Sequence, residues 1–152
     1  GGQSGPEDGR CRLLGRAARR ADASGAEAVE VIAKGGCERL IPKLIDMLEA
    51  KVSALPAQAP PLPLQAIGTQ YGNAAKALCQ REPQLDVATR KRVFAVGAAL
   101  LEKEDCWVRA SGLRAIDACD AAAARPLIEP LVNARCIDLK SQAEAALKRI
   151  TR

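Results

Sequence analysis

Apolar residues return along this chain every three or four positions, in bursts punctuated by Gly, Pro, Asp and Ser, and sustained alternation is missing. That period marks one face of a helix rather than a half-buried strand. It predicts eight helices. The first spans about residues 8–22, with Cys11, Leu14, Ala18 and Ala21 on one side and Arg10, Arg12, Arg16, Arg19 and Arg20 on the others. Ser24-Gly25-Ala26-Glu27 has the form of a capping box, opening a short helix that Gly35-Gly36 stops. Leu40, Ile41, Leu44, Ile45 and Leu48 carry a third helix to about residue 50, with Pro42 tolerable in its first turn. A fourth runs through Leu64, Ile67, Tyr71, Ala74, Ala75 and Leu78, and Asp86 is the expected N-cap of a fifth reaching about residue 103. Segments 106–119, 121–133 and 138–150 complete the set.

Between the third and fourth helices, Pro56, Pro60, Pro61 and Pro63 forbid a continuous helix over 52–63, which reads as an inserted surface loop. Residues 1–7, rich in Gly, Ser and Pro, read as a disordered or extended N-terminus, and 8–152 as one helical domain. A chain opening Gly1-Gly2-Gln3 without methionine reads as a processed form or a part of a longer protein.

Composition agrees with an all-α fold. Alanine supplies 30 of the 152 residues and leucine 17, while Trp107, Tyr71 and Phe94 are the only aromatics. Such a mix packs helices closely through small side chains and argues against a β-sandwich or barrel.

The chain also resembles itself at an offset of 31 residues. Val96, Leu100 and Leu101 align with Leu127, Leu131 and Val132, and Val108, Gly112, Ala115, Ile116 and Cys119 align with Leu139, Ala143, Ala146, Leu147 and Ile150. One unit earlier, Ala74 and Ala77-Leu78 carry the same small-apolar signature.

Within these units Asp105-Cys106-Trp107-Val108-Arg109-Ala110 resembles the turn and second-helix start of a HEAT repeat, where an aspartate and an arginine tie neighbouring turns together. Leu40-Ile41-Pro42-Lys43-Leu44-Ile45 and Leu127-Ile128-Glu129-Pro130-Leu131 look like HEAT first helices, and Ala28 to Cys37, with its glycine pair, is similar to an armadillo repeat. The resemblance covers residues 24–150. It implies a right-handed α-solenoid of about four stacked hairpins, and a non-catalytic protein-interaction scaffold or adaptor, a subunit or fragment of a larger assembly. By that resemblance the second helices line the concave face, so Asn73, Lys76, Arg114 and Lys148 are contact candidates.

Charge adds a second class of partner. The net charge is +5. Arg12, Arg16, Arg19 and Arg20 share a side of the first helix, Arg90-Lys91-Arg92 form a second basic cluster, and Lys148, Arg149 and Arg152 a third. These clusters suit phosphates as well as acidic proteins, so a nucleic-acid or ribonucleoprotein-binding module is the alternative. Against it stands the shortage of aromatic platforms on which bases stack. Trp107, at a turn beside Arg109, reads either as a partner-facing anchor or as filler between repeats.

Catalysis finds little footing. With no histidine there is no Ser-His or Cys-His nucleophile pair and no His-ligated metal, and no phosphate-binding or nucleophile-elbow motif occurs. The expectation is a non-enzyme without cofactor or metal. The six cysteines, at 11, 37, 79, 106, 119 and 136, are scattered without any CxxC and read as small buried hydrophobes, which places the chain in a reducing, intracellular compartment. No apolar run is long enough to insert in a membrane.

Overall fold

A computed structural model describes residues 6–58 and 62–150. Every regular element among them is helical: α1 (Pro6–Ala18), α2 (Ala23–Lys34), α3 (Ile41–Ala54), α4 (Leu62–Gln80), α5 (Val87–Leu101), α6 (Cys106–Cys119), α7 (Ala121–Ile128) and α8 (Ile137–Ile150), with 3₁₀ turns at Glu38–Leu40 and Glu129–Asn133. The all-α expectation holds, and eight α-helices stand near the predicted places.

Local chemistry sets the boundaries. Asp86 caps α5 by accepting from the Thr89 amide at 2.7 Å, as expected. Gly35 and Gly36 take φ of 137° and 95°, left-handed backbone that ends α2 and that side-chain-bearing residues avoid. Pro42 sits in the first turn of α3, where its missing N–H costs nothing.

Several boundaries differ from the sequence reading, and α1 ends at Ala18 rather than near residue 22, which leaves Arg19 and Arg20 outside it. The cap of α2 is Asp22, whose carboxylate accepts from Gly25 N at 3.1 Å, so Ser24 and Glu27 lie inside the helix rather than forming a capping box. Helix α1 already includes Pro6, and of the expected extended segment 1–7 only residues 1–5 lie outside the described residues. Helix α7 stops at Ile128 instead of running to 133, because Pro126 and Pro130 each lack the amide that continues the ladder. The insertion is also shorter than 52–63, since α3 reaches Ala54 and α4 begins at Leu62; residues 59–61 lie outside the described residues. Its described part is stitched down: Ala57 O accepts from Glu104 N at 2.8 Å and Leu55 O from Lys103 Nζ at 3.0 Å.

The even-numbered helices pack in chain order, α2 on α4, α4 on α6 and α6 on α8, while α1, α5 and α7 pack on α2, α6 and α8, and α3 lies against α5. Two buried apolar clusters meet at α6. One face of that helix gives Val108, Ala115 and Cys119 to the first, and another gives Ala110, Leu113 and Ile116 to the second. The helices touch almost backbone to backbone. A Cβ added at Gly112 would come within 2.6 Å of Gly97 O, and one at Gly72 would collide with Ser111.

The cysteines overturn the thiol expectation. All six are paired, Cys11–Cys37, Cys79–Cys119 and Cys106–Cys136, with Cα–Cα separations of 5.7, 4.9 and 5.8 Å. Disulfides persist where the environment is oxidising, so the pairing points away from a reducing compartment. The reason lies in stacking: partners 26, 40 and 30 residues apart are about one helical hairpin apart, and packed hairpins bring them side by side. No helix among the described residues is long and apolar enough to cross a membrane.

Candidate functional site

Helices α4, α6 and α8 share an open groove of about 510 Å³, whose polar lining is Lys76, Gln80, Arg114, Asp117, Gln142 and Arg149. Its apolar lining comes from Leu113, Ala118, Ala121, Ala145 and Ile150. Repeat register explains why these residues meet. By the sequence register, Lys76, Arg114 and Ala145 occupy equivalent positions of α4, α6 and α8, as do Gln80, Ala118 and Arg149, and as do Asn73, Ser111 and Gln142. Helical spacing then sets them on one face.

Arg114 is the centre of this arrangement. Its Nη1 donates to Gln142 Oε1 at 3.0 Å and its Nη2 to Asn73 Oδ1 at 3.3 Å, so the guanidinium bridges α4 and α8 across α6. Both acceptors are neutral amides, and no carboxylate pairs with Arg114 among the described residues. Burial pushes its pKa down from the ordinary arginine value, yet the group stays charged at any physiological pH. Asp117, the groove's acid, is held by Arg149 Nη1 at 2.9 Å and is largely shielded. Lys76 is half-buried on the same wall.

Two crosslinks fix the width of the groove. Cys79–Cys119 joins the C-terminal ends of α4 and α6, and Cys106–Cys136 joins the start of α6 to the residue before α8. Helix α6 is therefore stapled to one neighbour at each end.

Among the residues singled out by sequence, Asn73, Lys76 and Arg114 come together here. Lys148 lies on α8, exposed, beside but outside the lining. Arg109 does not join them: its Nε donates to Leu101 O at 3.0 Å, tying α6 back to the end of α5. Trp107 is 55% exposed at the start of α6, so it does not fill a gap between repeats. Arg12 and Arg16 on α1, and Arg19 just past its end, are exposed at the other end of the row, with side chains unpaired among the described residues; Arg20 is held by Asp22, with Nε at 2.9 Å and Nη2 at 2.7 Å.

Both arginines of the second basic cluster are engaged within the fold, while Lys91 between them is exposed. Arg90 donates to the carbonyls of Cys119 at 2.7 Å and Ala118 at 3.2 Å, satisfying the end of α6, and Arg92 binds Glu49 and Asp46 of α3. Those two carboxylates, Glu49 foremost, push the Arg92 pKa up.

Gln142 and Asp117 were not singled out by sequence as groove residues. The 31-residue offset contained the signal for Gln142, which stands in register with Ser111 and so next along the row from Asn73. Compared with protein-family models, curated proteins and solved structures, the chain finds no match in any of the three.

Proposed function

We propose that this chain is a HEAT/armadillo-like right-handed α-solenoid that acts as a non-catalytic protein-interaction module, a subunit or part of a larger assembly working in an oxidising compartment. The row of second helices in chain order, with the internal repeat in register along it, supports the solenoid reading. One observation carries the functional reading: a groove built by equivalent positions of three repeats, with an arginine at its centre lacking a carboxylate. A stapled groove of this kind binds without first being ordered, which preserves affinity.

The nucleic-acid alternative rests on Arg12 and Arg16 of α1 and on Arg19 just beyond it. It is weakened because Arg90, Arg92 and Arg149 are engaged within the fold, and because no aromatic residue lines the groove.

A pull-down from extract of the source organism, run with and without nuclease, tests the reading. Wild-type chain is compared with Lys76→Gln/Arg114→Gln. Protein partners that survive nuclease and are lost with the groove variant support the docking module. Partners that vanish with nuclease, or that ignore the groove variant and depend on α1 arginines, refute it.

A further inference from the structure

The α4/α6/α8 groove carries three cations, Lys76, Arg114 and Arg149, against one carboxylate, Asp117, which Arg149 already engages. Neither Lys76 nor Arg114 has a carboxylate partner among the described residues. Arg114 is oriented rather than neutralised: its bonds to Gln142 and Asn73 use two of its five N–H donors. A half-buried guanidinium has lost part of its water and gained no counter-charge, so an incoming carboxylate makes a charge-assisted, bidentate-capable contact there.

The shape indicates what carries that carboxylate. Three adjacent helices, each about 8–10 Å from the next, give a track of about 20 Å, the reach of some six residues of extended chain at about 3.3 Å each. Along it the amide N–H groups of Asn73 and Gln142, whose oxygens face Arg114, are suited to backbone carbonyls. Ala118, Ala145 and Ile150 offer aliphatic contact between the polar positions. Stacked bases find no aromatic partner in this lining.

We propose that the groove takes an extended acidic peptide segment of a partner protein, with one side-chain carboxylate seated on Arg114 and a neighbouring one within reach of Lys76. This rests on reading the face as a docking surface and adds the chemistry of the occupant.

The test is fluorescence anisotropy on the oxidised full chain, with a dye-labelled peptide of alternating Glu and Ala, its Gln/Ala counterpart, and a single-stranded oligonucleotide of similar length. The Glu peptide is expected to bind about tenfold or more tighter than the Gln peptide, and Arg114→Gln to remove that preference while Arg114→Lys keeps part of it. Arg16→Gln on α1 leaves the affinity unchanged. Circular dichroism melting verifies folding, and Lys76→Gln provides an independent variant, expected to lose a few-fold.

Equal binding of the Glu and Gln peptides, or no binding of the Glu peptide at millimolar concentration, overturns the acidic-ligand inference. So does an oligonucleotide that binds more tightly and depends on Arg114. Ala145→Trp, which fills the groove, separates the two levels. If it abolishes binding of both peptides when they bind equally, the docking surface stands and only the charge preference fails. If binding survives this substitution unchanged, the docking surface itself is misplaced.

Discussion

Removing one crosslink gives a sharp quantitative test. Cys79 and Cys119 are both 3% exposed and close a loop of 40 residues. In the chain-entropy treatment, opening such a loop returns roughly 13 cal/mol/K to the unfolded chain, about 4 kcal/mol at 25 °C. In Cys79→Ala/Cys119→Ala, Arg90 still donates to the backbone carbonyl of residue 119, so the end of α6 stays satisfied, and the two buried sulfurs deleted add a packing cost to that of the lost bond. In a domain of this size about 4 kcal/mol corresponds to a fall of roughly 8–16 °C in Tm. Urea titration of the oxidised variant, followed by circular dichroism, measures the loss. The slope m is expected to rise, because the uncrosslinked denatured chain is less compact.

Two results refute the reasoning. One is a midpoint and slope indistinguishable from wild type. The other is the appearance of reactive thiols when unreduced wild-type protein is denatured, which means the sulfurs were never bonded and restores the reducing-compartment reading. Removing all three bonds is bounded rather than additive, since Cys106 lies inside the 79–119 loop and the two loops interleave. Against a typical total of about 5–15 kcal/mol, the fully reduced chain is expected to be unfolded or close to it.

Other perturbations act through single contacts. Gly112→Ala pushes a methyl group against Gly97 O and the Leu100 side chain, and is expected to cost about 2 kcal/mol or more in urea unfolding because α5 and α6 must separate. Asp105→Ala removes acceptors for the Trp107 and Val108 amides, at 2.9 and 3.0 Å, and for Gln65 of α4; a loss of about 1–2 kcal/mol is expected, with Asp105→Asn recovering part of it. Asp22, Glu38 and Asp86 have pKa values held down, chiefly by Arg20, Arg81 and the Thr89 amide respectively. A carboxyl depressed by folding stabilises fully above its ordinary value, here 3.8 or 4.5, and that stability fades as pH falls through the folded value. Tm measured against pH therefore drops below about pH 4, and Asp22→Asn with Asp86→Asn flattens that limb.

Much of this architecture was legible because its causes are local. The period of Leu40 to Leu48, the Asp86 cap and the Gly35-Gly36 stop each need only a few neighbouring residues, and each stands in the structure. What failed needed a comparison between alternatives or between repeats. Ser24 looked like a cap because Glu27 completes a box, but Asp22 reaches the Gly25 amide and is itself held by Arg20. The cysteines looked unpaired because their partners are a hairpin away, although the separation of 30 between Cys106 and Cys136 nearly equals the 31-residue repeat. The groove lay between these cases. Asn73, Lys76 and Arg114 were visible as second-helix residues, whereas the coupling of Arg114 to Gln142 required the register of α8. Arg109 had the right residue type, but the carbonyl of Leu101 claims it.

The crosslinks and the close packing are two consequences of one composition. Eleven of the thirty-three buried apolar residues among the described ones are alanine, which lets helices approach closely but removes little apolar surface from water per residue. A core of that kind supplies less stability than a leucine-rich one of equal length. Covalent loops that act on the unfolded chain offset the shortfall without widening the helix spacing. Two of the three bonds tie α6 to α4 and to α8, the helices that line the groove. Stability and site geometry thus rest on the same bonds, and reduction is expected to weaken groove binding at reductant concentrations that have not yet unfolded the chain.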